Sequence, residues 1–192
     1  MIYSRQAKVL FVHIQRTGGT SLANLLLKEL PGARRLGGEH AHATVAMRHL
    51  GHAEFGQCFR FSFVRNPWDR MLSWFIWAKQ GGRHAKQRFD VRRRTTFAEF
   101  LANPHPWLAT PQLAYLRNTT GELIVDHIYR FEDYLADVAI LCERLRIDAS
   151  KLPHAKGSRH APYTTYYTAD TRQLVAERFA EDIAVFGYRF GE

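Results

Sequence analysis

The chain has 192 residues, a formal net charge of +9 and an aromatic content of 13%. That length suits one domain, residues 1–192, around a single core, and the spread of apolar residues excludes intrinsic disorder as the main state. No run of about 18 apolar residues occurs, which excludes a membrane span. Cys58 and Cys142 are too few for a disulfide framework and lack metal-ligand spacing, so we expect a reducing, cytoplasmic location.

The surplus of positive charge admits three classes of partner: nucleic acid, an anionic membrane surface, or an acidic substrate. Most of the basic residues are Arg, whose planar guanidinium suits phosphate and sulfate groups. The sequence contains no helix-turn-helix, zinc-finger or RRM signature, and its basic residues do not form one helical stripe. No nucleic-acid partner is therefore predicted, although a nucleic-acid-binding module stays an alternative class.

Three segments have the composition of β-strands: residues 8–15, 58–64 and 126–131. The first is apolar almost throughout, which is typical of a strand buried on both faces of a parallel sheet. The sequence up to residue 15 is interpreted as a first strand and not as a signal peptide. Helical patterns are predicted from Thr20 to the stop at Pro31-Gly32, through 45–50 to Gly51, from Pro67, over 95–101, 111–116 and 132–145, and from Asp170 as N-cap.

The first predicted strand leads directly into a glycine-rich turn, Arg16-Thr17-Gly18-Gly19-Thr20-Ser21, and then into a helix. Glycines let backbone amides face a phosphate group, and a helix N-terminus adds positive partial charge. The hydroxyls of Thr17, Thr20 and Ser21 are further donors. No Lys follows the second glycine, so this is not the GxxxxGK[ST] pattern.

The alternation of strands and helices predicts an α/β fold, a single P-loop-like three-layer domain with a central parallel sheet flanked by helices.

Two motifs carry a resemblance to a known family. FVHIQRTGGTSL, residues 11–22, resembles the 5′-phosphosulfate loop of sulfotransferases that use 3′-phosphoadenosine 5′-phosphosulfate (PAPS), and in particular the glycan-modifying heparan sulfate 2-O- and 6-O-type branch. FVRNPWDRMLSWF, residues 63–75, resembles the 3′-phosphate motif of the same family. RFEDYLAD at 130–137 and FAEDIAVFGYRF at 179–190 are also similar, so the resemblance covers nearly the whole chain.

The resemblance implies a set of cofactor contacts. The PAPS-binding residues would be Arg16, Thr17, Gly18, Gly19, Thr20 and Ser21 at the 5′ side, with Arg65 and Ser73 at the 3′-phosphate. Adenosine 3′,5′-bisphosphate would be the released product, and no metal is implied. An Arg at the strand end can fork onto a phosphate while a serine hydroxyl donates to it.

Two residues are predicted to act on the reaction. Arg16 occupies the position where the family usually has Lys; it can stabilise the leaving oxygen but cannot donate a proton to it. That departure leaves a catalytically weakened nucleotide-binding relative as an alternative. The base is expected to be a histidine in EHAHAT, residues 39–44, where His42 matches best and His40 is the second choice.

Three other histidines are not expected to take part in the reaction. His49 and His52 are expected on the surface, and His13 is interpreted as a satisfied core histidine. A zinc site in the His-rich stretch 40–52 is not predicted, because the sequence has no HExxH or paired Cys/His spacing and few acidic residues nearby.

The acceptor is predicted to be a hydroxyl, on an anionic or neutral glycan. Residues 79–94 are strongly basic and form a candidate acceptor groove, with Arg83, Lys86, Arg88, Arg92, Arg93 and Arg94. Lys156, Gly157, Arg159 and His160 lie in a loop that closes over the cofactor in family members, and Tyr163, Tyr166 and Tyr167 either stack on a ligand or pack the last helix. A P-loop small-molecule kinase is the remaining alternative; the missing GK[ST] sequence counts against it.

Overall fold

The structure, a computed structural model, describes residues 1–81, 95–153 and 161–192. These residues group into two compact units. One contains the described residues of Met1–Val64 and Gln112–Lys156, and the other those of Arg65–Pro111 and Gly157–Glu192. The expectation of a single domain stays a prediction.

The first unit is built on a five-stranded sheet with the strand order β3-β1-β2-β4-β5. Its strands are β1 Ile2–Ser4, β2 Val9–Val12, β3 Arg34–Arg35, β4 Phe59–Val64 and β5 His127–Arg130. β2, β4 and β5 pair in parallel, whereas β1 pairs antiparallel with both β2 and β3. Four of the five strands therefore point the same way, and the fold is a mixed α/β fold.

The three parallel strands confirm the strands predicted at 8–15, 58–64 and 126–131. The single first strand predicted for the N-terminal segment is wrong, because this segment forms the antiparallel hairpin β1–β2. The chain reverses between them, where Lys8 adopts a left-handed backbone with φ of 52°. The N-terminal strand and the two-residue β3 are too short to produce a recognisable alternation of apolar and polar residues.

Over the described residues the helices are α1 Gly19–Glu29, α2 Ala43–Gln57, α3 Pro67–Lys79, α4 Phe97–Ala102, α5 Tyr134–Leu145, α6 Ala169–Arg178 and α7 Ala180–Phe186. Short 3-10 turns occupy Leu113–Tyr115, Ala149–Lys151 and Tyr163–Tyr166. Gly51 has a non-helical backbone, with φ of 76° and ψ of 160°, so the predicted helix ends in a kink at this residue and a second helical segment of α2 continues to Gln57.

The core of the first unit lies between the sheet and helices α1 and α5. Phe11 and Phe61, on neighbouring parallel strands, stack with ring centroids 5.2 Å apart. The fully buried Ser62 is satisfied within the sheet, since its hydroxyl donates to the Val12 carbonyl at 2.7 Å. Leu22, Leu25 and Leu26 of α1 and Val138, Leu141 and Cys142 of α5 complete this cluster.

The second unit packs α3 against α4 and α6 around an aromatic core that contains Trp68, Phe100 and Phe179. The N-cap of α6 is Thr168 and not the predicted Asp170. Thr168 and Thr171 form a capping box, in which each side chain accepts from the backbone N–H of the other. Asp170 lies in the first turn instead, where its charge favours the helix dipole.

Among the described residues, no helix combines the length and the apolar character that a bilayer crossing requires. The predicted acceptor groove falls almost entirely outside the described residues, as do Lys156, Gly157, Arg159 and His160.

Candidate active site

The loop after β2 is buried and held by its own hydrogen bonds. His13, Ile14, Gln15 and Thr17 are each no more than 3% exposed. The Thr17 hydroxyl donates to the Ile14 carbonyl at 2.9 Å, so in this structure it stabilises the turn, and its role as a phosphate donor stays a prediction. Arg16 is half-buried between them and has a left-handed backbone, with φ of 65°.

Both glycines of the turn are required by close contacts. Gly18 has φ of 76° and is the N-cap of α1, and a Cβ there would lie 2.8 Å from Cε2 of Tyr134. A Cβ at Gly19 would lie 2.1 Å from Cδ2 of His13. The Tyr134 hydroxyl also donates to the Gly18 carbonyl at 2.9 Å. The turn is therefore clamped between two aromatic rings that only glycine accommodates.

The N-terminus of α1 has no negatively charged side chain in its first turn. Thr20 is exposed and Ser21 is half-buried, so their hydroxyls and backbone N–H groups lie at the positive end of the helix dipole. The helix begins at Gly19, one residue before the predicted start at Thr20.

His42 lies at the N-terminus of α2, where it is the N-cap residue. Its ring is half-buried and packs against Tyr115, with centroids 4.5 Å apart at an angle of 42°. Burial lowers the pKa of His42, and a hydrogen bond to the backbone of Ala114 partly opposes that shift. The side chain thus contacts the 3-10 turn Leu113–Tyr115, and the lowered pKa favours its neutral form.

His40 contacts His13. Its Nδ1 lies 3.1 Å from the His13 carbonyl oxygen, and the two rings meet edge-on with centroids 4.4 Å apart. Burial, followed by the charges of His40, the Met1 amino group and Arg35, lowers the pKa of His13 well below its ordinary value. His13 is indeed buried in the core, and it also supports the glycine turn through Gly19.

Arg65 and Ser73 belong to the second unit. Arg65 directly follows the last residue of β4, and its Nε and Nη2 lie 2.8 and 2.7 Å from Oδ2 of Asp69. Pro67 opens α3 as predicted, and the side chain of the N-cap Asn66 accepts from the Trp68 N–H at 3.1 Å. Ser73 is 1% exposed within α3. Asp69 therefore orients the guanidinium predicted to hold the 3′-phosphate.

Sequence reasoning missed three residues of these arrangements: Tyr115, Tyr134 and Asp69. The partners Tyr134 and Gly18 lie 116 positions apart, so no local pattern connects them. Asp69 is four residues after Arg65, a spacing that predicts an ion pair once α3 is recognised as a helix.

The tyrosine cluster has a packing role in the second unit. Tyr167 donates its hydroxyl to the Trp68 carbonyl at 2.7 Å, and Tyr163 and Tyr167 both meet Phe190 edge-on. Burial raises the pKa of Tyr167. The packing interpretation of these two residues therefore accounts for their contacts.

The sheet and the helices define an α/β protein in which a glycine turn connects a parallel strand to a helix. A family model described as the sulfotransferase family matches residues 1–189. The chain therefore belongs to the sulfotransferase family, and its class of reaction is sulfuryl transfer. No curated protein and no solved structure gives a match.

Proposed function

We propose that the protein transfers a sulfuryl group from PAPS to a hydroxyl of a carbohydrate, a glycan of the type that the heparan sulfate 2-O- and 6-O-sulfotransferases modify. The observation that carries this proposal is the glycine turn that opens α1. It combines a left-handed Gly18, a helix start without acidic residues and an adjacent cation, Arg16. Membership of the sulfotransferase family supports a sulfated, anionic donor at this turn.

Each end of the donor is assigned to named groups. The backbone N–H groups of residues 17–21 and the hydroxyls of Thr20 and Ser21 bind the 5′-phosphosulfate. Arg65, oriented by Asp69, and the hydroxyl of Ser73 bind the 3′-phosphate. Two separate anion sites distinguish this donor from a simple nucleotide, which has no 3′-phosphate.

The chemistry assigned to the chain is an in-line displacement. The acceptor oxygen bonds to sulfur while the bond from sulfur to the bridging phosphate oxygen breaks. The acceptor proton moves to the neutral ring of His42, and the electron pair of the broken bond stays on the phosphate. Arg16 stabilises that developing charge, the term that usually contributes most to such catalysis. No step requires a metal.

The first experiment is calorimetric titration with adenosine 3′,5′-bisphosphate, with ATP plus Mg²⁺ as the comparison. We expect metal-independent binding of the bisphosphate, weakened in Arg65→Ala and in Arg16→Ala. Preference for ATP would instead support a small-molecule kinase. Failure to bind either nucleotide would overturn the proposed donor and leave a weakened relative of the family.

The base is tested by His42→Ala. Transfer from PAPS to a panel of glycans should fall by roughly 10²–10⁴-fold, because the acceptor proton loses its recipient. Bisphosphate affinity should stay nearly unchanged. His49→Ala is the matched control, since His49 is exposed on the same helix and hydrogen-bonds to the Val45 carbonyl. Loss of bisphosphate binding in His42→Ala would contradict a role as base.

A further inference from the structure

Three metal-ligating side chains come together beside the glycine turn, a juxtaposition that their order in the sequence does not suggest. One potential ligand atom from each of His13, Glu39 and His40 lies within 4.8 Å of the others. We propose that these three residues form a binding site for a divalent transition metal of the zinc class. The proposal concerns a site separate from the donor-binding groups, and the proposed sulfuryl transfer does not depend on it.

The donor set fits such an ion. Two imidazoles and one carboxylate are ligands of zinc sites that leave a fourth position open, whereas Ca²⁺ and Mg²⁺ prefer oxygen ligands alone. A tetrahedral site with bonds of about 2.0–2.2 Å needs its donor atoms roughly 3.3–3.6 Å apart. The ligand atoms, which lie within 4.8 Å of one another, therefore need to approach by at most about 1.2–1.5 Å, within reach of side-chain rotation.

The hydrogen bond of His40 favours a tautomer that suits a metal ligand. Its Nδ1 lies 3.1 Å from the His13 carbonyl oxygen and donates to it, so the proton stays on Nδ1 and the lone pair on Nε2. A backbone carbonyl that accepts from the second ring nitrogen is the usual outer partner of a metal-bound histidine. The contact also ties His40 to the residue that supplies the second imidazole.

The three residues provide both a fixed ligand and an entry path. His13 is 2% exposed and rigid within the core, where its ring stacks on Phe11 with centroids 5.5 Å apart. His40 is half-buried and Glu39 is exposed, so an ion reaches the site from solvent. The backbone near Glu39 is fixed, because the Met1 amino group donates to the carbonyls of Gly38 and Glu39 at 2.9 Å each.

Charge around the site is mixed. Glu39 attracts a cation, while Arg35 acts on His13 as a positive charge, as does the protonated Met1 amino group. Arg35→Gln is therefore expected to strengthen metal binding.

The test is titration of the full chain, without a histidine tag, with Co²⁺ followed by visible absorption, and then displacement of the cobalt by Zn²⁺. We expect one equivalent to give the intense bands of a four-coordinate site. His40→Ala and Glu39→Gln should each weaken binding by more than about 10-fold. Both residues are at least partly exposed, so these variants should fold even if His13→Ala does not.

A His49→Ala/His52→Ala variant is the control, because it removes two exposed histidines of α2 that lie outside the site. It should bind Co²⁺ as the natural chain does. Absence of the bands in the natural chain would overturn the proposal, as would binding that survives both ligand substitutions or is lost in the control. None of these readouts uses the sulfate donor, so they are independent of the proposed reaction.

Discussion

At the scale of single residues, Gly19 and His13 form a steric pair. A methyl group at Gly19 would overlap the His13 ring, 2.1 Å from Cδ2. Gly19→Ala should therefore lower the free energy of unfolding by about 1–3 kcal/mol, the usual cost of overpacking. In a His13→Ala background the same substitution should cost less, because the ring is gone. Denaturant titration of the four proteins measures this coupling.

Gly56→Ala is the matched control for that cycle. Gly56 lies in α2, and a Cβ there would have no neighbour within 4 Å. Alanine should be neutral or stabilise the protein by about 0.5–1 kcal/mol, the general preference for alanine over glycine in a helix. If Gly19→Ala also left the free energy of unfolding unchanged or raised it, the steric restriction of the glycine turn by His13 would be contradicted.

A second contact at this scale connects the turn to α5. Tyr134→Phe removes the hydrogen bond to the Gly18 carbonyl and leaves the ring in place. Stability should fall by about 0.5–1.5 kcal/mol. Bisphosphate affinity should fall too, because the peptide between Gly18 and Gly19 loses its fixed orientation. Calorimetry of the two proteins checks this, and unchanged affinity would show that the hydroxyl supports folding only.

At the scale of elements, the start of α6 distinguishes two candidate caps. Thr168→Ala breaks the capping box and should cost about 1 kcal/mol. Asp170 is the second residue of the helix. Asp170→Ala removes only a favourable interaction with the helix dipole and should lower the free energy of unfolding by roughly 0.3–1 kcal/mol. Thermal unfolding of both variants tests the order. A larger loss of stability in Asp170→Ala than in Thr168→Ala would support Asp170 as the N-cap, as the sequence predicted.

Predictability of the elements follows the length of their patterns. β2 was predictable from a run of four buried apolar residues, β4 from its alternation of apolar and polar residues, and α1 from leucines at helical spacing. β1 and β3 were not, since three and two residues carry no period. Their pairing depends on long-range contacts that only the folded chain supplies.

In the candidate site, too, the residues identified by local sequence were predictable, and those brought together by long-range contacts were not. The glycine turn and His42 were identified from local sequence and its family resemblance. The side chains and backbone that hold them were not, because Tyr134 meets Gly18 and Tyr115 meets His42 across large separations in the chain. The neighbourhood of His13, Glu39 and His40 was missed for the same reason.

At the scale of the whole molecule, the net charge of +9 acts on every anionic ligand. Adenosine 3′,5′-bisphosphate should bind on the order of tenfold more weakly in about 0.5 M salt than in dilute buffer, because salt screens the protein's field. Adenosine alone, which carries no charge, should change little. Calorimetry at the two salt concentrations makes the comparison. Equal salt dependence for both ligands would mean that the measured binding does not involve the phosphate groups.

Arg16 has a left-handed backbone, with φ of 65°. Its conformational strain lowers the stability of the protein, while its side chain has the role proposed for it in the reaction. Such a conformation costs a residue other than glycine about 1–2 kcal/mol. Glycine at this position relieves the strain and removes the guanidinium. A laboratory selection for survival at high temperature alone should therefore tolerate Arg16→Gly, and under the proposed mechanism the selected proteins would be stable but inactive. Engineering of this enzyme must screen for product, and not for melting temperature alone.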